Sequence, residues 1–198
     1  MARSSRDNRK RLSLGAKIAV FVAAIAVLGA AVYAVTDRVI RLMYPLAYSE
    51  PVEAAATENG LPPSLLYATI CTESHFKPEA ESSAGAMGLM QMTDIAFTEA
   101  QKKRDGEVTM TKESLYDPAI NICYGGYYLG RMLKRFGTIE TALAAYNAGQ
   151  SRVAGWLKDS AYSKDGKTLS YIPYEETRNY VERVLEAQKI YQALYDIE

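Results

Sequence analysis

The sequence has few of the residues that hold metal ions. It contains one histidine and two cysteines among 198 residues, and these form no Cys/His cluster at the spacing of a zinc site. We therefore expect no metal, and we expect no cofactor. The two cysteines, Cys71 and Cys123, are compatible with one disulfide in an oxidising compartment or with two buried free thiols.

Positive charge is scarce outside the N-terminus. Basic and acidic residues number 23 each, but six basic residues and one acidic residue lie within residues 1–17, which leaves residues 18–198 with a net charge of −5. A nucleic-acid partner needs a basic face, so the composition argues against one. An anionic polymer would have to be held by shape and hydrogen bonds. The apolar content of 48% is that of a globular chain, for which one domain is the default.

A long run without charge lies near the N-terminus. Residues 18–36 are 19 uncharged residues, mostly Ala, Val, Ile and Leu, which is long enough as a helix to cross the roughly 30 Å of a bilayer core. The basic residues ahead of it predict that residues 1–17 form a cytoplasmic tail and that the rest of the chain lies outside. We predict an uncleaved single-pass anchor in the cell membrane, followed by a juxtamembrane connector at residues 37–48.

A cleaved signal peptide is the alternative interpretation of this run. Small residues around Ala34 would make a tolerable cleavage site. The run is, however, longer than the roughly 7–15 apolar residues of a usual signal peptide, so we favour the anchor.

The outer domain, residues 49–196, has a helical pattern throughout. Alternation typical of strands is absent outside residues 159–173, where Asp165-Gly166 suggests a flap or small hairpin. The sequence therefore predicts an all-α domain. Helix signals are the start at Pro51 with a stop at Gly60, the start at Pro62-Pro63 with an end before Pro78, the caps Thr93, Asp117 and Ser151, the span from Thr138 to Gly149 after Gly137, and the apolar face of residues 181–194.

Glu73 stands near the C-terminal end of the second of these helices. The partial negative charge of a helix C-terminus and apolar neighbours would both raise the pKa of its carboxyl, as a general acid requires. An ordinary surface glutamate is the plain alternative. The small residues at 82–88, "SSAGAMG", would let a ligand approach the backbone closely or would simply form a loop. Asn147 offers an amide suited to an acetamido group, or it caps its helix.

Other constellations compete with the glutamate. Cys71 and His75 are four residues apart and would share a helical face, which raises a thiol nucleophile with its base, although such pairs usually come from separate elements. Ser74 and His75 are adjacent and cannot build a triad unaided. Several tyrosines would serve either as helix packing or as a sugar platform; those of interest are Tyr127, Tyr128, Tyr146, Tyr171 and Tyr180.

Five separated motifs occur in an order that resembles the catalytic domain of the soluble lytic transglycosylases. They are "ESHF" (73–76), "SSAGAMGLMQ" (82–91), "DPAINICYGGYYL" (117–129), "ALAAYNAG" (142–149) and "IPYEETRNYVERV" (172–184). The resemblance covers roughly residues 44–194, and the chain looks like the short, membrane-anchored bacterial members. The order of five motifs makes the resemblance specific, whereas a single motif would be weak.

The resemblance implies a lysozyme-like, mainly helical fold with a groove that holds a glycan strand of peptidoglycan. It assigns the catalytic acid to Glu73. It further implies that substrate is bound by residues beside the acid and along the groove: Ser74, Gly88, Met90, Gln91, Tyr146, Asn147 and Tyr180. The two cysteines belong to none of the family's functional motifs.

The implied reaction cleaves the β-1,4 bond between N-acetylmuramic acid and N-acetylglucosamine without water. Glu73 would protonate the glycosidic oxygen and then accept the proton of the muramoyl C6 hydroxyl, which closes a 1,6-anhydro ring. One carboxylate suffices, whereas ordinary glycosidases use two. Two alternatives remain: a muramidase similar to goose-type lysozyme, in which Asp94 or Asp117 serves water, and a glycan-binding module that does not cut.

Overall fold

The computed structural model describes residues 13–197, and the chain divides into two compact units, Met1–Pro45 and Leu46–Glu198. In the described part of the first unit there is one helix, α1 (Leu14–Met43), which is long and apolar enough to cross a membrane and has no buried residue. Most of the predicted tail, residues 1–12, lies outside the described residues. Residues 14–17 are already helical.

Helix α1 extends further than the apolar run from which it was predicted. Residues 37–43 were expected to form a connector but are helical, and only residues 44–48 lie between α1 and the next helix. The extension carries an ion pair one turn apart, in which Arg41 Nε lies 2.9 Å from Asp37 Oδ2. Such a pair supports a helix, and the sequence has no Gly or Pro between residues 37 and 43 to end it.

The second unit is a bundle of helices, and no strand occurs in the described part of the chain, which confirms the all-α prediction. Its helices are α2 (Ser49–Asn59), α3 (Pro63–Ser74), α4 (Asp94–Arg104), a short 3₁₀ helix (Lys112–Tyr116), α5 (Pro118–Phe136), α6 (Ile139–Ala148), α7 (Gln150–Trp156) and α8 (Glu175–Tyr195).

Most helix ends lie at the capping residues from which they were predicted. Thr93 accepts a hydrogen bond from the N–H of Ala96, and Asp117 accepts one from the N–H of Ile120. Gly60 and Gly137 follow α2 and α5 with φ of 64° and 78°, the left-handed conformation that glycine adopts at low cost.

Two local predictions were wrong. Ser151 does not cap α7, because Gly149 (φ 92°) alone separates α6 from α7 and Ser151 lies inside the first turn. Residues 159–173 form no hairpin. They fold around the carboxylate of Asp165, which accepts hydrogen bonds from the N–H groups of Lys167 and Thr168, each at 2.8 Å.

Helix α3 is the centre of the bundle. All its residues from Ser64 to Cys71 are buried, which explains why the sequence shows no polar face there. It packs on α8, where the ring of Tyr67 stacks on that of Tyr191 with centroids 5.4 Å apart. Helix α5 packs on α2 and α6. The core thus surrounds α3 from Ser64 to Cys71, whereas Glu73 near its C-terminal end is only partly buried.

Candidate active site

Glu73 occupies the last turn of α3, and the chain turns away directly after it. His75 and Phe76 both take positive φ values, 50° and 60°, which is uncommon for residues with a side chain. The turn ends the helix at Ser74 and leaves Glu73 half-buried at the end of an otherwise buried helix. An acid is therefore held rigidly at the border between core and solvent.

Burial is the main influence on the Glu73 carboxyl. It raises the pKa to about 7, and the Tyr180 hydroxyl and the positive charge of Arg183 oppose this rise. Desolvation disfavours the ionised carboxylate, whereas a hydroxyl donor and a cation favour it. Glu73 consequently exchanges its proton near neutral pH, as a group that must both donate and accept a proton requires.

Two tyrosines from different helices lie beside this carboxyl. Tyr180 of α8 is buried, and its hydroxyl interacts with Glu73 without making a hydrogen bond of good geometry. Tyr146 of α6 also interacts with Glu73, and burial followed by the charge of Glu73 raises the pKa of its hydroxyl well above the usual range. Helices α3, α6 and α8 thus each bring one side chain to a single point.

The segment between α3 and α4 folds as a tight loop under this point. Ser74 donates to the carbonyl of Leu89 at 2.8 Å, and Tyr146 donates to the carbonyl of Met90 at 2.8 Å. Gly88 has a φ of 76° and Gln91 a φ of 47°. The loop is therefore tied to both helices that carry Glu73 and Tyr146.

The predicted substrate-binding residues fall into two groups. Ser74, Gly88 and Met90 are buried, so these three lie in the packing of the loop. Gln91 is half-buried, and its Nε2 donates to the carbonyls of Ala80 and Gly88 at 3.0 and 2.9 Å. Asn147 is exposed and lies within α6, whose cap is Gly149, so it does not cap the helix.

An open cavity of about 270 Å³ adjoins Tyr146. Three predicted residues contribute to it, and the full lining is Gln91, Met92, Thr93, Ile95, Ala96, Glu99, Tyr128, Tyr146, Asn147, Ala148 and Gly149. Polar amides, tyrosine rings and one carboxylate around such a space suit a polyhydroxylated ligand.

Glu99 is the carboxylate of this cavity and is already paired. Arg131 lies 2.9 Å from its Oε1, and Gln150 Nε2 donates to Oε1 at 3.0 Å and to Oε2 at 3.1 Å. Although burial raises its pKa, these partners outweigh burial and lower it overall. Glu73 and Glu99 thus differ in environment, one tending to keep its proton and the other ionised.

The rival constellations are not assembled. Cys71 is buried, and burial raises the pKa of its thiol, which disfavours a thiolate nucleophile. His75 is exposed in the turn after α3. Cys71 and Cys123 are not joined to each other by a disulfide. Asp117 is occupied as the cap of α5, and Asp94 is exposed in the first turn of α4. Within residues 13–197, no three side chains of His, Cys, Asp or Glu are grouped to hold a metal.

Sequence reasoning singled out Tyr128, which lines the cavity, but it missed Glu99, Arg183 and Asn121. For Asn121 a signal was present, because it shares the apolar stripe of α5 with Gly125 and Leu129, and a polar residue on a buried face needs partners. For Glu99 and Arg183 no signal was present, since both lie on helices whose exposed faces carry many charges.

Comparison with known proteins gives three findings. The family model "Transglycosylase SLT domain" matches residues 50–169. The soluble lytic murein transglycosylase of Escherichia coli K12 is 34% identical over 151 residues, which cover 75% of this chain and 23% of that protein. The membrane-bound lytic murein transglycosylase F of Desulfosudis oleivorans is 35% identical over 109 residues, which cover 52% and 22% of the two chains.

A solved structure gives the same picture. The lytic transglycosylase Slt from Pseudomonas aeruginosa, crystallised as an inactive glutamate-to-glutamine mutant, superposes with a TM-score of 0.66 at 33% identity, over 77% of this chain and 25% of that one. The chain spans about a quarter of the length of these relatives. The lysozyme-like fold expected from the motifs is thereby confirmed for the second unit.

Proposed function

The chain belongs to the transglycosylase SLT family, and from this membership and the surroundings of Glu73 we propose that it is a peptidoglycan lytic transglycosylase. The substrate is a glycan strand, cleaved at the β-1,4 bond between N-acetylmuramic acid and N-acetylglucosamine. The observation that carries the proposal is the half-buried Glu73 carboxyl with a pKa raised to about 7, flanked by tyrosines from two other helices. The inactive mutant among the relatives supports a glutamate as the acid.

The first step uses the protonated form of Glu73. The carboxyl donates its proton to the glycosidic oxygen as the bond from that oxygen to C1 of the muramoyl residue breaks, so that N-acetylglucosamine leaves with a free hydroxyl. The substrate's own N-acetyl oxygen supports the positive anomeric carbon. The resulting Glu73 carboxylate is stabilised by the Tyr180 hydroxyl and by Arg183, which both favour its ionised form.

The second step returns the proton. The Glu73 carboxylate accepts the proton of the muramoyl C6 hydroxyl while O6 bonds to C1, which forms the 1,6-anhydro ring and restores the enzyme. No water is consumed, so a second carboxylate is not required. Asn147, Gln91 and Tyr146 supply polar groups along the cavity for the sugar hydroxyls and N-acetyl groups. Ser74, Gly88 and Met90 support the loop and contribute to binding indirectly.

Product analysis tests this reaction. Full-length protein in detergent is incubated with purified peptidoglycan in H₂¹⁸O, and the products are analysed by mass spectrometry. We expect 1,6-anhydromuramoyl ends without ¹⁸O. Glu73→Gln should lower the rate by at least about 10²-fold, whereas Glu186→Gln, on an exposed part of α8, should leave it unchanged. Reducing muramoyl ends that carry ¹⁸O would refute the transglycosylase.

The muramidase alternative has one observation in its favour, which is the ionised Glu99 at the cavity. A hydrolase would use such a carboxylate to activate water. In that case Glu99→Gln would abolish the ¹⁸O-labelled product. A transglycosylase would give only anhydro ends in wild type and in Glu99→Gln. Unchanged wall degradation by Glu73→Gln would instead favour a glycan-binding module with a contaminating activity.

We also propose that α1 anchors the chain in the cell membrane as a single crossing with the domain on the extracytoplasmic side. Membrane-bound relatives and the apolar α1 support membrane association, and the basic residues before it favour this orientation. The proposed arrangement is a tail at 1–17, an anchor at 18–36, a connector at 37–48 that is helical to Met43, and a catalytic domain at 49–196. Protease added to spheroplasts should remove the domain; protection of the domain would contradict this orientation.

A further inference from the structure

Asn121 is a buried carboxamide that the proposed mechanism does not use. It lies in the first turn of α5 and is fully buried. Its Oδ1 accepts from the N–H of Met90 at 2.7 Å, and its Nδ2 donates to the carbonyls of Met87 and Leu115 at 3.0 and 2.8 Å. All three hydrogen bonds go to backbone groups, so the side chain holds the loop at Met87–Met90 and the 3₁₀ helix against α5.

Met90 connects Asn121 to the site. Its N–H is held by Asn121 and its carbonyl accepts the hydrogen bond of Tyr146, whose ring lies beside Glu73. One residue earlier, the carbonyl of Leu89 accepts from Ser74, the residue next to Glu73. Two consecutive loop residues thus join α5, α6 and α3, and Asn121 supplies the contact from α5.

The loop has no room to settle differently on α5. A Cβ at Gly88 would lie 2.1 Å from Asn121 Nδ2, and one at Gly125 would lie 2.5 Å from Met90 Sδ. Both distances are far shorter than atoms tolerate, so the loop packs on the helix at these two glycines. The hydrogen bonds of Asn121 hold the loop at this short distance from α5.

We propose that Asn121 is a positioning residue for the reaction. By fixing Met90, Asn121 sets the place of Tyr146 against Glu73, and the buried Tyr146 limits the access of water to the carboxyl. Without Asn121 the loop loosens, Tyr146 shifts with Met90, and water reaches the Glu73 carboxyl. The pKa of Glu73 then falls towards its ordinary value, and the proton donor is misplaced, although the groups that contact the substrate are unchanged.

The test measures the Glu73 carboxyl directly as well as turnover. Full-length wild type, Asn121→Ala and the milder Asn121→Ser are prepared in detergent micelles with ¹³C-labelled glutamate, and Glu73 is assigned by its absence in Glu73→Gln. We expect the carboxyl of both Asn121 variants to titrate about one pH unit lower than in wild type. On soluble glycan strands kcat should fall about 10²-fold, with KM within about threefold of wild type.

Gln101 provides a matched control. It is a fully buried amide on α4 with three hydrogen bonds to backbone, from Nε2 to the Met110 carbonyl and from the N–H groups of Thr109 and Met110 to Oε1. No hydrogen bond links it to Met90 or Tyr146. Gln101→Ala should lose comparable stability while the Glu73 titration and the kcat of the folded fraction stay unchanged.

Several results would overturn the proposal. An unchanged Glu73 titration in the Asn121 variants, or an equal shift in Gln101→Ala, would do so. So would a loss of kcat that only follows the unfolded fraction. Failure of both Asn121 variants to fold at low temperature would make Asn121 a requirement of the fold instead. The kcat measurement rests on the proposed function, but the titration needs no substrate. An inactive wild type would refute that function and leave the role of Asn121 decided by the titration.

Discussion

The hydroxyl of Tyr180 lies beside the carboxyl of Glu73 and lowers a pKa that burial raises. The two influences act on opposite forms of the acid, because desolvation favours the protonated carboxyl and the hydroxyl favours the carboxylate. A single residue that donates a proton and then takes one back needs both forms within reach. The balance near pH 7 therefore suits one-carboxylate chemistry better than either influence alone.

Tyr180→Phe tests this balance. Loss of the hydroxyl should raise the pKa of Glu73 above about 7, so the alkaline limb of the kcat/KM profile should move to higher pH. At the same time kcat should fall by roughly 10-fold to 100-fold, because the ionised Glu73 loses the neighbouring hydroxyl that favours its charged form. Tyr124→Phe, which removes a partly buried hydroxyl that donates to Asp105 instead, should leave the limb in place. A limb that moves to lower pH would show that Tyr180 acts in the opposite sense.

The same carboxyl should make the folded protein less stable as the pH rises. Below about pH 4.5 Glu73 is protonated in both states; between 4.5 and about 7 the unfolded chain ionises it and the folded chain does not. Stability is therefore present at low pH and is lost as the pH rises through 7, by up to about 3 kcal/mol. Glu73→Gln cannot ionise, so it should be more stable than wild type at pH 8 and similar at pH 4. Denaturant unfolding in detergent at both values measures the difference, and a constant difference would contradict the raised pKa.

The helices of the second unit were largely predictable because their ends are decided by neighbours in sequence. Thr93, Asp117 and Gly137 act within three or four residues of their own positions, so pattern and chemistry agree. The prediction that Ser151 caps α7 was wrong for a similarly local reason, because α7 begins at Gln150, directly after Gly149. The extension of α1 beyond residue 36 carries the Asp37–Arg41 ion pair and contains no Gly or Pro, and hydropathy alone does not register either feature.

The site itself was only partly predictable. Glu73 follows from its place at the end of an apolar helix, but the hydrogen bond from Met90 to Asn121 spans 31 residues and that from Tyr146 to Met90 spans 56. The periodicity of a single sequence does not predict hydrogen bonds between residues so far apart. Ser74 and Met90 were predicted to bind substrate, but their side chains pack inward. Ser74 donates to the Leu89 carbonyl, and Met90 lies against Gly125.

Cys71→Ala should keep most of the turnover. The thiol is buried on α3, two residues before Glu73, and its pKa is raised by burial, so it contributes packing and no nucleophile. We expect at least about half of the wild-type kcat and a loss of about 1 kcal/mol in stability. Turnover of the purified variant on glycan strands is the measurement. Complete loss of turnover in a folded variant would restore the thiol hypothesis with His75 as the base.

Gly88→Ala should be among the most damaging small substitutions in the domain, and Gly85→Ala separates the reasons. Both glycines have positive φ, 76° and 74°, but a Cβ at Gly88 would lie 2.1 Å from Asn121 Nδ2 and 2.2 Å from the Leu115 carbonyl, whereas nothing lies within 4 Å at Gly85. Strain alone should cost Gly85→Ala about 1 kcal/mol. Gly88→Ala must also push the loop away from α5, so we expect a loss of about 3 kcal/mol or more.

Gly88→Ala should also lower the catalytic rate. Because the displaced loop carries the carbonyls that hold Ser74 and Tyr146, the folded fraction of Gly88→Ala should lose about 10²-fold in kcat, while Gly85→Ala keeps its kcat. Denaturant unfolding and turnover on glycan strands, measured on both variants, make the comparison. Equal losses in the two variants would mean that backbone strain is the whole effect and that the tight contact with Asn121 is not needed to keep Glu73 and Tyr146 in place.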